Sequence, residues 1–225
     1  MQARDRLIVA ADLSSRDDIL ALADELHGVA GTLKLGLQSF VGNGPALVRE
    51  VVSRVGSVFL DLKLHDIPNT VQHAAREAGS LGISMLTVHA AGGESMLRAA
   101  SLDGVLVLGV TVLTSLDDND LQQIGFREAP LPAAVTLARL VRKAGLGGVV
   151  ASPLEIAAIR ESCGPDLRIV TPGIRPEGAE SGDQRRTMTP RAAIEAGADY
   201  IVVGRPITGA KNRRDAALRI VEMMS

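Results

Sequence analysis

Eight short apolar runs, separated by longer segments with helical periodicity, constrain the fold of this chain more than any other feature of its sequence. The runs are nearly continuous in apolar residues, which is typical of parallel strands that are covered on both faces. They span residues 7–12, 32–36, 58–63, 85–90, 105–111, 148–152, 168–173 and 200–204. Eight strand–helix units of this kind predict a closed parallel barrel with its helices outside.

The segments between the runs carry the signals of helix starts and ends. Ser152-Pro153 and Thr189-Pro190 each place a capping side chain before a proline, which is favoured at the first helical position. Gly197 ends one segment, where glycine can adopt the left-handed conformation of a helix C-cap. The predicted helices cover residues 16–27, 45–55, 69–81, 94–100, 132–144, 153–161, 190–196 and 214–224. A predicted helix thus follows every predicted strand.

The main alternative to a barrel is an open, doubly wound sheet. In a dinucleotide-binding sheet of that kind, a Gly-x-Gly-x-x-Gly turn follows the first strand. Here Asp12-Leu13-Ser14-Ser15 stands in that place. The 225 residues contain no Pro-, Gly- or Ser-rich linker at which the chain would divide. The sequence therefore predicts an α/β fold, a single (β/α)₈ (TIM) barrel domain over residues 1–225.

Composition and charge exclude several classes of function. The 24 basic and 26 acidic residues give a net charge of −2, and the chain has no tryptophan, one tyrosine and three phenylalanines. It therefore lacks both the basic patch and the aromatic platform of a nucleic-acid-binding protein. Its first apolar run, about seven residues long, is too short for a signal peptide or a membrane span. Its single cysteine, Cys163, excludes an intrachain disulfide. We expect a cytoplasmic protein that acts on neither nucleic acid nor membrane.

Charged side chains stand near the ends of the first three apolar runs. Asp12 ends the first run, Lys34 lies in the second, and Asp61 and Lys63 lie in the third. Neighbouring strands are about 4.8 Å apart, so these four side chains should converge at the carboxyl end of the barrel, where barrel enzymes carry out their chemistry. Asp61 and Lys63 are two residues apart and should project to the same side. A purely structural salt-bridge network is the alternative, but desolvation makes such pairs weak stabilisers, which favours a functional site.

A phosphate site is predicted at the other side of the barrel mouth. Gly204-Arg205 ends the eighth run, and a polar connection over residues 173–188 follows the seventh. Barrels commonly bind phosphate with the loops after these two strands. Glycine allows close backbone approach, and the planar guanidinium of Arg205 suits a phosphate dianion. Arg175 and Gln184 lie in the facing connection. A second long connection, over residues 113–131, is also expected to be a functional loop.

Several potential metal ligands lie near the same strand ends, namely Asp12, Asp61, His65, Asp66 and His89. The lysine ammonium groups among them would compete electrostatically with a divalent cation. We therefore expect no metal. His89 is expected to pack or hydrogen-bond beneath the site, and His65 to support the loop.

Five motifs, in order along essentially the whole chain, resemble those of the orotidine 5′-phosphate decarboxylase family. They are KLG at the second strand, DLKLHDIPNT at the third, VTVLTS after the fifth, TPGIRP after the seventh and VVGRPIT at the eighth. The block Asp-x-Lys-x-x-Asp-Ile-Pro-Asn-Thr is highly specific. Its first part alone also fits sugar-phosphate decarboxylases and synthases of the same superfamily. The fourth strand–helix unit is shorter than expected for the bacterial family, but this difference touches none of the five motifs.

This resemblance implies an activity and a set of residues. The family converts orotidine 5′-monophosphate to UMP and CO₂ in pyrimidine biosynthesis, without metal or organic cofactor, in homodimers with shared active sites. It implies that Lys63 donates a proton to C6 of the pyrimidine, and that Lys34, Asp61 and Asp66 complete the charged array. The substrate contacts that it implies are Asp12 and Lys34 at the ribose, Thr114 at the pyrimidine, and Arg175, Gln184, Gly204 and Arg205 at the phosphate, with Gln184 also able to reach the base. Ile67 and Pro172 are further implied substrate contacts, and Asp66 and Thr70 are implied to reach into the site of a partner subunit.

Other functions remain open at this point. A Schiff-base aldolase needs a lysine of depressed pKa, whereas a lysine flanked by acids, as Lys63 is, should stay charged. Another phosphate-binding barrel enzyme, such as a sugar-phosphate decarboxylase, shares part of the motif. A barrel that binds nucleotide without catalysis would explain the phosphate site but not the alternating charges.

Overall fold

The computed structural model describes residues 2–176 and 187–224 of the chain. Eight parallel strands each pair with the next, and the eighth pairs with the first, so that the sheet closes into a barrel. The strands are β1 Leu7–Ala10, β2 Thr32–Gly36, β3 Val58–Leu64, β4 Met85–His89, β5 Leu106–Val110, β6 Gly148–Val150, β7 Arg168–Thr171 and β8 Tyr200–Val203. The predicted (β/α)₈ barrel is confirmed.

Helices follow the strands on the outside of the barrel. Those of the described residues are α1 Arg16–Leu26, α2 Leu37–Val55, α3 Pro68–Gly79, α4 Gly93–Ala99, α5 Asp118–Gln123, α6 Pro130–Lys143, α7 Ile156–Cys163, α8 Pro190–Glu195, α9 Arg205–Thr208 and α10 Arg213–Met223, with 3₁₀ helices at Ala3–Arg6, Ala90–Gly92 and Pro153–Glu155. In α8 the Thr189 side chain accepts a hydrogen bond from the Ala192 amide, and Pro190 takes the first helical position. Across the described ranges, no helix is both long and apolar enough to span a bilayer.

The helices differ from the prediction in three places. Helix α2 begins at Leu37, not at residue 45; the non-helical backbone of Gly44, with a φ of +68°, breaks it at a kink directly before Pro45, so the prediction missed only the segment ahead of the kink. The connection over residues 113–131 contains α5, whose start is stabilised by Asp117 through a side-chain hydrogen bond from the amide of Asp120. Helix α9 begins directly after β8, at Arg205. Both of these unpredicted helices are short and lie at the carboxyl end of the barrel.

The apolar core has two layers. The inner layer consists of side chains from the strands that meet within the barrel: Ile8, Ala10, Phe59, Met85, Leu108, Val170 and Val202. A larger outer layer packs the opposite faces of the strands against the helices. Burying each large side chain contributes roughly 1.5–3 kcal/mol. The inner layer gives the polar residues at the barrel mouth a rigid apolar base.

Candidate active site

A cavity of about 320 Å³ opens at the carboxyl ends of the strands. Its volume suits a small-molecule ligand. Ala10, Phe59 and Val202 of the inner core layer form part of its wall, together with Val110 and Val150. The predicted site residues that line it are Asp12, Lys34, Asp61, Lys63, Thr114, Pro172, Arg175, Gly204 and Arg205. The fold thus brings most of the predicted residues into one polar-rimmed cavity.

Four alternating charges form a chain along one side of this cavity. The Lys34 ammonium nitrogen lies 3.2 Å from Asp12 Oδ1 and 3.4 Å from Asp61 Oδ2, and the Lys63 ammonium nitrogen lies 2.8 Å from Asp61 Oδ1. The side chains of Lys34 and Asp61 are 10% and 14% exposed, whereas that of Lys63 is 32% exposed. Of the two lysines among these four charges, Lys63 is therefore the more accessible to a ligand.

Asp61 lies at the centre of the charged chain. Burial raises the pKa of its carboxyl group, but the positive charges of Lys34 and Lys63, and hydrogen bonds from Lys63 and Thr87, outweigh burial and leave that pKa below its ordinary value. Asp61 is therefore ionised at neutral pH. Its carboxylate is the shared partner of both ammonium groups, and it holds two positive charges close together at the barrel mouth.

Strand β3 is irregular between its two charged residues. Its pairing with β4 runs through Leu60–Leu86 and resumes at Leu64–Val88, so that four steps along β3 face two along β4. Lys63 has a φ of +51° and is the only non-glycine residue with positive φ in the described part of the chain. Regular strand alternation, from which the sequence predicted that Asp61 and Lys63 share a side, therefore does not hold between them. They meet because the bulge and the left-handed turn bring them together.

Sequence reasoning missed Thr87, a fully buried residue of β4. Its hydroxyl accepts a hydrogen bond from the Lys63 backbone N–H at 2.9 Å and donates one to Asp61 Oδ1 at 2.9 Å. A threonine within the run MLTVH is the only signal in the sequence, and threonine is common in strands. The cavity is also lined by Val112, Leu113, Ala151, Gly173 and Thr208, which were not predicted as site residues.

His65 and His89 do not line the cavity but stack on each other. Their ring centroids are 5.3 Å apart and their planes differ by 14°. His89 Nδ1 accepts a hydrogen bond from the Ala91 amide at 3.3 Å. Burial, together with His65 and the positive charge of Lys63, lowers the pKa of His89 and keeps its ring neutral at neutral pH. The stack connects the loop that leaves β3 with the end of β4.

Three predicted residues, Asp66, Ile67 and Thr70, do not line the cavity of their own chain. All three are exposed, where the loop after β3 enters α3. Asp66 Oδ1 accepts a hydrogen bond from the Ile67 amide at 2.6 Å, and Pro68 begins the helix. Gln184, the remaining predicted residue, lies outside the described residues.

Two arginines, Arg175 and Arg205, also line the cavity. Arg205 begins α9 directly after Gly204, and Arg175 follows β7. The Arg175 amide donates a hydrogen bond to the Met188 carbonyl at 3.0 Å, next to a bridge between Ile174 and Met188 that connects the two described ends of the segment after β7. A ligand in this cavity would therefore meet both the charged chain and these arginines.

Comparisons with known proteins show similarity to one enzyme family. A family model described as orotidine 5′-phosphate decarboxylase / HUMPS family matches residues 5–220. Orotidine 5′-phosphate decarboxylase of Moorella thermoacetica is 49% identical over 232 residues, which cover 98% of this chain and 92% of that protein. The enzyme of Haemophilus influenzae is 48% identical, with coverage of 92% and 93%. The crystal structure of the Lactobacillus acidophilus enzyme aligns with a TM-score of 0.87 at 34% identity, over 97% of this chain and 98% of that one.

Proposed function

The chain belongs to the orotidine 5′-phosphate decarboxylase / HUMPS family, and we propose that Lys63 is the proton donor of its reaction. The enzyme decarboxylates orotidine 5′-monophosphate to UMP and CO₂ in pyrimidine biosynthesis. This reaction breaks one carbon–carbon bond, and the enzyme is accordingly a carbon–carbon lyase. The observation that carries the proposal is the 2.8 Å contact between the Lys63 ammonium and Asp61 at the accessible end of the charged chain.

The chemistry explains why an ammonium group is needed at this place. When CO₂ leaves, the electron pair of the broken bond stays at C6 in an orbital that the pyrimidine ring cannot delocalise. The fixed positive charge of Lys63 stabilises this developing carbanion, and its N–H then supplies the proton that completes UMP. Asp61 holds the Lys63 ammonium in place before the reaction, and the lysine takes a new proton from water after the product leaves.

The arginine side of the cavity holds the phosphate in this proposal. Arg175, Gly204 and Arg205 bind the phosphate group, with Gln184 assigned to it by the family resemblance. Asp12 and Lys34 bind the ribose, and Thr114 and Pro172 lie at the base. Phosphate binding, distant from C6, contributes binding energy that holds the pyrimidine against the charged chain. Guanidinium groups suit this task because their planar N–H pairs match phosphate oxygens.

The proposed reaction uses no metal and no organic cofactor. The two oxygens of Asp61 each face a lysine ammonium, and Asp12 shares one of these lysines. A divalent cation at this place would meet two positive charges at short range. In the described ranges, no group of three or more His, Cys, Asp or Glu side chains is arranged to hold a metal ion. The charged residues supply the electrostatic stabilisation themselves.

The proposal includes a homodimer in which each subunit supplies Asp66, with Ile67 and Thr70, to the site of the other. Ile67 is 66% exposed, and Leu37 and Val41, which follow the neighbouring strand β2, are 52% and 81% exposed. Burying such apolar side chains against a second copy removes them from water. A two-fold interface would use the same surface on both subunits and would complete both sites at once. The enzyme is proposed to act in the cytoplasm as a single-domain barrel over residues 1–225.

The experiment that tests the function uses protein freed of metal by a chelator. Orotidine 5′-monophosphate is added, and the loss of its absorbance and the release of CO₂ are followed together. We expect equal amounts of CO₂ and UMP at an undiminished rate. If the protein bound the substrate without turning it over, the decarboxylase activity would be rejected. Treatment with borohydride and a keto-sugar phosphate should leave no covalent adduct, whereas an adduct on Lys63 would favour the aldolase.

Gly36 leaves room for the Asp12–Lys34 ion pair because it has no side chain. We expect Gly36→Ala to weaken substrate binding. A Cβ at this position would lie 2.8 Å from Asp12 Oδ1 and 3.1 Å from the Lys34 ammonium nitrogen. Its φ of −91° is accessible to alanine, so the backbone need not change. The displaced ion pair should raise KM about tenfold, since weakening one charged hydrogen bond costs roughly 1.5 kcal/mol.

Steady-state kinetics and thermal melting test this prediction together. Gly79→Ala is the matched control, because a Cβ at that position meets only Leu102 Cδ1, at 3.4 Å. The control should keep the KM of the unmodified enzyme. An unchanged KM in Gly36→Ala would contradict a role of the Asp12–Lys34 pair in binding, and a large fall in Tm would show that the change acts on the fold instead.

A further inference from the structure

The β3–β4 pairing opens at the two residues on which the proposed chemistry depends. Between Leu60 and Leu64 the regular ladder is interrupted, and the backbone N–H of Lys63 needs an acceptor outside it. A lysine at a φ of +51° also carries a conformational cost, which neighbouring contacts must offset. The position of the Lys63 side chain is thus set by whatever holds this backbone.

Thr87 supplies the missing contact. Its side chain is fully buried on β4, and a hydroxyl has one proton to donate and two lone pairs to accept. It accepts the Lys63 N–H and donates to Asp61 Oδ1, each at 2.9 Å. The same Asp61 oxygen accepts from the Lys63 ammonium at 2.8 Å. The three hydrogen bonds close a ring through Lys63, Thr87 and Asp61.

We propose that Thr87 is a positioning residue for the reaction, which fixes the Lys63 backbone and the Asp61 carboxylate with one hydroxyl group. This inference rests on the function proposed for Lys63. Thr87 does not line the cavity, so we assign it no contact with the substrate. Valine has nearly the same shape as threonine but can neither accept the Lys63 N–H nor donate to Asp61, so Thr87→Val removes both contacts at little cost in packing.

Kinetics provide the first test. In Thr87→Val we expect kcat to fall about 30- to 100-fold, since a misplacement of about 1 Å in the reacting groups has an effect of this size. KM should change less than about threefold, because the proposed phosphate and ribose contacts come from other strands. Thr87→Ser keeps the hydroxyl and should have a kcat within about fivefold of the unmodified enzyme.

The matched control is Thr32→Val. Thr32 is a buried threonine at the amino end of β2, and its hydroxyl is 2.9 Å from Ser57 Oγ. The control removes a buried hydroxyl at the amino end of the strands and does not touch the charged chain at their carboxyl end. Its kcat should stay within about twofold of the unmodified enzyme.

A second measurement needs no turnover. The carboxyl group of Asp61 is titrated by carbon NMR in the ligand-free protein, with Asp61→Asn to assign its signal. Loss of the hydrogen bond from Thr87 should raise the pKa of Asp61 in Thr87→Val and leave it unchanged in Thr32→Val. If the unmodified enzyme fails to decarboxylate its substrate, the proposed function is rejected, while this titration still decides whether Thr87 holds Asp61.

The assignment stands if the Asp61 pKa rises in Thr87→Val and, in an active enzyme, kcat falls and Thr87→Ser restores it. An unchanged Asp61 pKa overturns the assignment. So does a kcat in Thr87→Val within about threefold of the unmodified value. If kcat fell as far in Thr87→Ser or in Thr32→Val as in Thr87→Val, the assignment would also be overturned. The loss would then follow from packing or from the removal of any buried hydroxyl.

Discussion

Replacing Lys63 by alanine is expected to lower kcat by about five orders of magnitude while the protein remains folded and still binds nucleotide. The substitution removes proton donation, worth roughly 10²- to 10⁴-fold, and also the fixed positive charge beside the carbanion, worth roughly 10²- to 10³-fold. Both effects arise only in the transition state, so the loss should appear in kcat. Steady-state turnover of orotidine 5′-monophosphate measures kcat, and calorimetric titration with UMP measures nucleotide binding.

The fold should tolerate this change because Lys63 lies at the rim of the cavity and not in the core. Its backbone hydrogen bond to Thr87 is kept, and Asp61 retains Lys34 as a partner at 3.4 Å. Lys143→Ala is the control, since Lys143 pairs with Glu94 on the surface at 2.7 Å and does not line the cavity. Near-normal turnover in Lys63→Ala would refute its role as proton donor.

The fold could be predicted from the sequence because the barrel depends on local patterns along the chain. Continuous apolar runs and capped helical segments appear directly in the sequence, and all eight predicted strands occur in the structure. Element boundaries were less certain because they depend on local conformation. The kink at Gly44 and the short helix at Asp118–Gln123 leave little pattern in so few residues.

The features of the site also divide into those that the sequence could predict and those that it could not. Asp12, Lys34 and Asp61 could be placed together because β1, β2 and β3 are neighbours in any barrel of this order. The left-handed conformation of Lys63 could not be predicted, because it follows from the interrupted pairing of β3 with β4, a property of two strands and not of one motif. The two hydrogen bonds of Thr87 were missed for the same reason.

Residues that are proposed to act in a partner subunit pose a different problem. Asp66 is exposed in its own chain, and its hydrogen bond from the Ile67 amide would be equally suitable in an ordinary loop. Nothing in the barrel pattern distinguishes such a loop from one that enters another site. Only the resemblance of the surrounding motif indicated a shared site, so an experiment on two chains is needed.

Mixing two inactive variants, Asp66→Ala and Lys63→Ala, is expected to restore activity. In a hybrid dimer, the site of the Asp66→Ala chain keeps its own Lys63 and receives an intact Asp66 from its partner. The other site lacks both groups. Half of the dimers in an equal, fully exchanged mixture are hybrids, so roughly a quarter of the activity of the unmodified enzyme should return. Turnover is measured after exchange, with hybrid formation followed by mass spectrometry of two differently tagged chains.

A mixture of Lys63→Ala with Asp61→Ala serves as the control for this experiment. Asp61 and Lys63 contact each other within one chain at 2.8 Å, so every site in such a hybrid carries one of the two lesions and no activity should return. Recovery in the first mixture but not in the second would assign Asp66 to the partner's site. No recovery in the first mixture, with hybrid dimers present, would count against the shared site, because each chain would then depend on its own Asp66.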